Sequence, residues 1–218
     1  MTRINIICEG PTEEQFVNKV LAPHFLNIGI VVTPRNLGTG NQYGKLRHNI
    51  VQWMHSDPSA YVTTLIDLYG MNRRFPGYFE HKDKRPIDKV TAVETAVKAD
   101  IDREGLDTRQ FIPHFQLHEF EALLFSAPEL LQEWLSLDRK IQPDYFKGIR
   151  DAFDNPEDIN DNPNTAPSKR ILAEVPSYSK VAEGVLIAED IGLDNMRTAC
   201  PHFDAWLKKL EVLAPKKT

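Results

Sequence analysis

The sequence predicts an α/β fold, a sheet of about four mainly parallel strands flanked by helices. Two observations carry this prediction. In the first half of the chain, short apolar runs rich in β-branched residues alternate with segments of helical period, an order typical of a parallel sheet. The second half is mainly of helical period. We therefore expect an α/β core over residues 1–127 and a helical extension packed on it over residues 128–218.

Four apolar segments are predicted as strands, over residues 4–8, 28–34, 61–66 and 111–117. The first is ended sharply by a Gly-Pro pair, as expected of a buried strand that leads into a turn. The fourth contains Pro113, which indicates an edge strand or a strand start, because proline cannot donate to a strand ladder.

Helices are predicted between and after these strands. Thr12 is the expected N-cap of the first helix, and Pro23 indicates a kink or a restart within it. Apolar residues recur at helical spacing farther along the chain, and polar or Gly/Pro-rich stretches separate them. Helices are expected over residues 45–54, 87–101, 118–125 and 203–213, and loops over residues 36–44, 68–86 and 154–167.

The charge balance limits the classes of partner. Lys and Arg number 26 against 31 Asp and Glu, a net charge of −5. This excludes a chain coated with cations for nonspecific nucleic-acid binding, so a nucleic acid needs a local basic patch or another subunit. Only Cys8 and Cys200 occur, far apart, which fits a reducing cytosol. With no apolar run near the roughly 20 residues of a membrane span, we expect a cytoplasmic protein without a membrane partner.

Acidic residues follow three of the four predicted strands. Glu9 ends the first strand, Asp67 ends the third, and Glu119 and Glu121 follow the fourth, while Glu13 lies one turn into the first helix. Ligands of open parallel sheets sit beyond the carboxyl ends of the strands. Converging carboxylates are what hard divalent cations require. The pattern therefore predicts a Mg²⁺ or Mn²⁺ site for phosphodiester chemistry, with one carboxylate left to move protons.

Each of these residues also has a structural interpretation. Glu13 and Glu14 suit the positive end of a helix dipole, and Asp67 suits the cap of a turn. His118, beside two glutamates, is interpreted as a hydrogen-bonding neighbour, because hard cations prefer oxygen ligands. Glu9 is the hardest to explain structurally, since a carboxylate directly after an apolar strand must be paired, metal-bound or exposed.

The turn after the first strand resembles the first motif of TOPRIM domains, especially those of OLD-like nucleases. That motif has a strand-end Glu, then Gly, then an acidic residue, as in EGPTEEQF at residues 9–16. Nearly the whole chain is similar to a bacterial TOPRIM family of AriB-like proteins, to which the effector of the PARIS anti-phage system belongs. Its matches are DLYG (67–70), FPG (75–77), QLHEFEALLF (116–125), PSKR (167–170) and PHF (201–203).

The resemblance implies a Mg²⁺- or Mn²⁺-dependent nuclease with Glu9 as general acid/base. It implies Glu9, Glu13, Asp67, Glu119 and Glu121 as metal-ligand candidates. For AriB-like members it further implies tRNA as the substrate and an ABC- or AAA-type ATPase, encoded nearby, that keeps the effector silent until infection. A homodimer is left open. TOPRIM domains usually carry Asp-x-Asp after the third strand, and here the second position is tyrosine.

Basic residues are candidates for contact with the phosphate backbone. An acidic site repels phosphates unless cations neutralise it. Lys45 is a candidate catalytic residue. For each basic residue named in this paragraph, the alternative interpretation is a solvated surface charge. The candidate nucleic-acid contacts are Arg73, Arg74, Lys169, Arg170 and Lys180.

Two functions from different classes follow. The first is a metal-dependent nuclease, RNA-directed, acting as the effector of an ATPase-gated defence system. The second is a catalytically inert TOPRIM-fold interaction subunit of the ATPase, suggested by Tyr69 in place of the second Asp. A different phosphoryl-transfer enzyme of the same fold is a third, because a fold does not fix function.

Overall fold

Five parallel strands form the sheet, and this confirms the predicted α/β class. The computed structural model describes residues 1–38, 42–159 and 164–216, so the loops predicted over residues 36–44 and 154–167 lie partly outside the described residues. The spatial order is β2-β1-β3-β4, and β5 extends the β4 edge by pairing with β3. The strands are β1 (Thr2–Cys8), β2 (Ile30–Asn36), β3 (Tyr61–Asp67), β4 (Phe111–Ile112) and β5 (Phe115–Gln116).

The predicted fourth strand is interrupted at its centre. Pro113 has no N–H for the ladder, and the side chain of Thr64 takes over the pairing at the next residue. Its hydroxyl donates to the His114 carbonyl oxygen at 2.7 Å and accepts from the His114 N–H at 2.9 Å. The edge is thereby split into two short strands, and the His114 backbone stays hydrogen-bonded between them.

The helices begin close to where the apolar spacing predicts. Five of the ten α-helices in the described residues start at a proline, which suits the first helical position because its missing N–H is not needed there. In the part of the chain that the structure describes, no helix is both long and apolar enough to span a membrane. The bounds are α1 (Pro11–Phe16), α2 (Ala22–Asn27), α3 (Tyr43–Ser56), α4 (Pro86–Asp102), α5 (Pro128–Ser136), α6 (Tyr145–Asp151), α7 (Pro167–Glu174), α8 (Val185–Ile191), α9 (Leu193–Ala199) and α10 (Pro201–Glu211).

The first helix differs from its prediction at both ends. Its N-cap is Gly10 and not Thr12, because Pro11 already occupies the first helical position. A π-helical turn, Val17–Leu21, joins α1 to α2, so Pro23 falls in the first turn of α2. The segment after His118 also differs, since it is a 3₁₀ turn, Phe120–Ser126, and not an α-helix.

Two hydrophobic clusters cover the opposite faces of the sheet. Neighbouring residues of a strand point to opposite faces, and accordingly Ile6 belongs to one cluster and Ile7 to the other. The Ile7 cluster includes the apolar faces of α3 and α4. The Ile6 cluster includes α1, α2 and the helices after residue 128, so the last third of the chain packs against the first strand.

Thr64→Val tests how far the interrupted edge depends on the threonine hydroxyl. The substitution keeps the shape and leaves the buried N–H and C=O of His114 without their partner, which costs about 1–3 kcal/mol for each unsatisfied group. Chemical denaturation should show a loss of about 2 kcal/mol or more. Thr91→Val is the matched control, because Thr91 is exposed and only bonds back to Ile87 within α4. Equal stabilities of the two variants would contradict this account of the edge.

Candidate metal-binding and catalytic site

Glu9 and Asp67 meet at the carboxyl ends of two neighbouring strands. The Glu9 N–H donates to the Leu65 carbonyl oxygen at 3.1 Å, which prolongs the pairing of β1 with β3 by one residue. In return, the Asp67 N–H donates to Glu9 Oε2 at 2.9 Å. The backbone of Asp67 therefore holds the Glu9 carboxylate in place.

Glu13 turns back toward the same edge from the first turn of α1. Its side chain is buried, and Oε2 accepts the N–H of Gly10 at 2.9 Å. This bond caps the helix and fixes the carboxylate, so the structural role that the sequence suggested for Glu13 is present. The other oxygen, Oε1, lies 3.2 Å from the ammonium of Lys180.

Glu119 and Glu121 follow β5 through a turn at His118, which has a φ of 63°. Hydrogen bonds from Leu68 N–H to Gln116 O and from Tyr69 N–H to His118 O hold this turn beside the end of β3. Both glutamates are buried. Glu119 Oε2 accepts the Ser168 N–H at the start of α7, at 2.9 Å.

Lys180 lies among three of these carboxylates. Its Nζ is 3.2 Å from Glu13 Oε1, 3.4 Å from Asp67 Oδ2 and 3.5 Å from Glu121 Oε2. Lys180 begins a π-helical turn, Lys180–Gly184, before α8. The sequence indicated this lysine only as a phosphate contact, and no local pattern placed it at the centre of the acidic cluster.

The electrostatics of the cluster follow from burial of like charges. Burial raises the pKa of Asp67 well above its ordinary value; Lys180 opposes this rise, and Glu9, Glu13 and Glu121 add to it. Burial likewise raises the pKa of Glu121, again opposed by Lys180. For Lys180, burial lowers the pKa, but the three carboxylates outweigh burial and hold its pKa well above the usual range. The carboxylates therefore favour the positively charged form of Lys180.

Tyr178 is a neighbour of the cluster that the sequence did not single out. Its ring is buried, and its hydroxyl has no hydrogen-bond partner among the described residues. Burial first, and then the charge of Glu121, raise the pKa of this phenol. A Cβ on Gly184 would lie 2.6 Å from the Tyr178 hydroxyl, so glycine is required at residue 184 for this packing.

The oxygen atoms of the cluster fit a hard divalent cation. The atoms that face the Lys180 ammonium are all carboxylate oxygens, and these are the ligands that Mg²⁺ and Mn²⁺ prefer. Asp67 Oδ1 is also buried and accepts no hydrogen bond from any described residue. One ammonium faces three carboxyl groups, and a bound divalent cation would favour the ionised forms that burial disfavours. Tyr69, at the position of the second Asp, supplies no carboxylate.

The remaining predicted cations lie on other elements. Lys45 is exposed in the first turn of α3, and a Cβ on Gly38 would lie 3.3 Å from its Nζ. Arg73 and Arg74 are exposed in the long loop after β3, with Arg73 6.0 Å from the ring of Phe79. In α7, Lys169 is exposed, and Arg170 donates to the Thr165 carbonyl oxygen at 2.7 Å.

Comparison with known proteins places the chain in a family. The model of the family described as "Domain of unknown function (DUF4276)" matches residues 8–211. The chain belongs to this family. The residues matched by the DUF4276 model include every acidic residue of the site. No curated protein matches the chain significantly.

Solved structures similar to this DUF4276 chain are C-terminal regions of OLD proteins. The region from Burkholderia pseudomallei has 15% identity and a TM-score of 0.52, with 99% of this chain and 100% of that one covered. Two structures from Xanthomonas campestris pv. campestris, phased with iodine and with platinum, have 17% and 18% identity and TM-scores of 0.40 and 0.43. They cover 96% and 97% of this chain and 98% and 97% of theirs. The first match shows that the chain has the fold of the OLD C-terminal region.

Lys180→Met tests whether the ammonium neutralises the buried carboxylates. Removal of one partner from a buried ion pair costs about 3–5 kcal/mol. A third of the Lys180 side chain is exposed, so we expect a smaller loss, about 2 kcal/mol, in chemical denaturation without divalent ions. Mg²⁺ or Mn²⁺ should restore more stability to this variant than it adds to the wild type, because the ion takes over the missing charge.

The matched control for this variant is Lys147→Met. Lys147 pairs with Asp151 on the surface of α6, where an exposed ion pair contributes at most about 1 kcal/mol. Its stability should stay near that of the wild type with and without divalent ions. A Lys180→Met protein as stable as the wild type in chelator would show that the carboxylates do not need this cation.

Proposed function

We propose that the chain is a metal-dependent nuclease of the TOPRIM type. The observation that carries the proposal is the convergence of Glu13, Asp67 and Glu121 on one lysine beside Glu9, at the edge of the sheet where parallel-sheet proteins bind ligands. The OLD-like fold supports the same chemistry. Hydrolysis of a phosphodiester needs a nucleophilic water, neutralisation of phosphoryl charge and a proton for the leaving oxygen.

The residues of the chain divide these tasks. Glu13, Asp67, Glu119 and Glu121 would hold Mg²⁺ or Mn²⁺, with Glu9 beside them. When bound, the ion polarises a phosphoryl oxygen and lowers the pKa of a bound water. Glu9 is half-buried where the other carboxylates are buried, so solvent reaches it. It is therefore the group proposed to move the proton, as general acid/base. Lys180 adds fixed positive charge where the phosphate approaches.

The proposed substrate is RNA, specifically tRNA, and the proposed setting is an anti-phage system gated by an ABC- or AAA-type ATPase. Both follow from the AriB-like resemblance of the sequence. The loop after β3 offers Arg73 and Arg74 beside Phe79, a combination of cations and aromatic surface that suits single-stranded nucleic acid. Lys45 and Lys169 are further exposed cations for the phosphate backbone.

The second candidate function is an inert interaction subunit of the same ATPase. Two observations favour it. Tyr69 replaces the second Asp, and Lys180 already provides one positive charge to the carboxylates without any metal. In this alternative the lysine substitutes for the ion, and the cluster stabilises the fold only.

Glu9→Gln tests the nuclease proposal. Purified wild-type protein with Mn²⁺ or Mg²⁺ should cleave total tRNA, and loss of the acid/base should lower the rate by about 10²–10⁴. Glu14→Gln is the matched control one residue beyond Glu13, since Glu14 accepts a hydrogen bond from Asn36 outside the cluster. Cleavage is followed on denaturing gels, with DNA substrates of equal length in parallel.

Three outcomes decide this assay. Equal cleavage by Glu9→Gln and the wild type would remove Glu9 from catalysis. Cleavage of DNA alone would overturn the choice of RNA. Addition of the ATPase encoded beside the chain should suppress cleavage, and unchanged cleavage in its presence would contradict the proposed gating.

Mn²⁺ binding distinguishes the nuclease from the inert subunit. Titration calorimetry of the wild type should show binding that Asp67→Asn abolishes, because this substitution removes a ligand at the centre of the cluster. Asp138→Asn, at a carboxylate with 79% of its side chain exposed, is the control that should bind as the wild type does. Absence of binding heat in the wild type would favour the inert subunit.

A further inference from the structure

A second group of metal-ligating side chains lies at the interrupted edge of the sheet, away from the acidic cluster. Glu94 comes from α4, His114 from the break between β4 and β5, and His202 from the first turn of α10. All three are buried, and one ligand atom from each lies within 4.8 Å of the other two. The closest pairs join Glu94 Oε1 to His202 Nε2, at 3.1 Å, and to His114 Nδ1, at 3.7 Å.

His114 is the member that an ordinary ion pair does not explain. A Glu94–His202 pair alone would account for two of the side chains. The His114 ring is fully buried between the rings of Trp206, 4.3 Å away, and His202, 4.9 Å away. Neither ring nitrogen makes a hydrogen bond of acceptable geometry with a described residue, although Gln116 lies nearby. A buried imidazole without a partner has a considerable desolvation cost.

The protonation state of His114 suits a ligand. Burial lowers its pKa well below the ordinary value, and the charges of His202 and Lys209 lower it further. A neutral imidazole has a lone pair on one ring nitrogen, and this is the atom that binds a metal ion. Glu94 Oε1 is held in position by the Phe115 N–H, at 3.3 Å, so the carboxylate is oriented by the first residue of β5.

We propose that Glu94, His114 and His202 bind Zn²⁺ or a similar borderline divalent ion. Ligand atoms around a tetrahedral Zn²⁺ are roughly 3.3 Å apart, from bond lengths of about 2.0–2.1 Å. The two measured separations to Glu94 are close to this value, and the third, between the two histidines, lies within 4.8 Å, so it would shorten by at most roughly 1.5 Å. Two imidazoles and one carboxylate are borderline ligands, unlike the oxygen-only set around Lys180, so the two sites select different ions.

The site is separate from the acidic cluster and reachable from solvent. His114 is hydrogen-bonded to Thr64, three residues before Asp67 on β3, which is about 10 Å along a strand. His202 lines a surface cleft together with Arg85, Leu117 and Asn155. Glu94 lines another cleft, together with Lys98 and Lys209. Either cleft would serve as the entry path of the ion.

The ion would tie three elements together at the open edge of the sheet. α4 belongs to the hydrophobic cluster on one face, α10 to the cluster on the other face, and His114 sits in the strand between them. An ion coordinated by Glu94, His114 and His202 would connect α4 and α10, which cover opposite faces of the sheet, at the point where the strand ladder is broken. The role of the ion is therefore structural, and metal binding adds directly to folding stability.

Co²⁺, the spectroscopic substitute for Zn²⁺, tests the proposal on the full chain without an affinity tag. The protein is first freed of metal by chelation and then given one equivalent of Co²⁺. Excess Mg²⁺ is present to occupy the carboxylate cluster around Lys180. We expect an intense visible d–d band typical of low-coordinate Co²⁺, and its displacement by Zn²⁺. His202→Asn should lose the band, since it removes a ligand, whereas the exposed His55→Asn and the Asp67→Asn variant should keep it.

The same experiment can contradict the proposed metal site. No low-coordinate band in the wild type, an intact band in His202→Asn, or loss of the band in Asp67→Asn would each contradict it. Should His202→Asn fail to fold, X-ray absorption of the Zn²⁺-loaded wild type decides alone. Scattering from two imidazole rings is expected, and a shell of oxygen atoms without imidazole would refute the proposal.

Discussion

The ammonium of Lys180 is the interaction on which the candidate site depends. Glu13, Asp67 and Glu121 are buried at one edge of the sheet, and buried carboxylates without a counter-charge become protonated or destabilise the fold. The charge that prevents this comes from a turn 113 residues after Asp67. The acidic edge of the α/β core is therefore completed by the C-terminal helices, and the two parts of the chain are electrostatically interdependent.

Buried glutamates recur where the C-terminal helices dock. Glu119, after β5, accepts the Ser168 N–H at the start of α7. Glu157 accepts two N–H groups at the start of α10, from His202 at 2.7 Å and Phe203 at 3.0 Å. The first N–H groups of a helix lack partners within the helix, and a carboxylate there satisfies them and suits the helix dipole. The same type of side chain thus fixes helix starts and builds the acidic edge.

The sequence predicts most of the sheet and several members of the site, for local reasons. Strand ends are marked by the change from β-branched residues to Gly10 or to Asp67, and the rule that parallel strands present ligands at their carboxyl ends selects Glu9 and Asp67. The position of Lys180 and the buried Tyr178 are decided by contacts between residues far apart in the chain, which no local pattern encodes. The interrupted edge was indicated only by Pro113, and the compensating Thr64 hydroxyl lies on another strand.

The two-residue strand β5 connects the acidic cluster with the histidine pair. Gln116 pairs with Asp67 in the ladder, and Phe115, one residue earlier, donates its N–H to Glu94. His114 precedes both, and Glu119 and Glu121 follow within five residues of Gln116. One short stretch of backbone, residues 114–121, therefore carries contacts of both groups. The interruption at Pro113 places a histidine on one side of β5, and the turn at His118 places the two glutamates on the other.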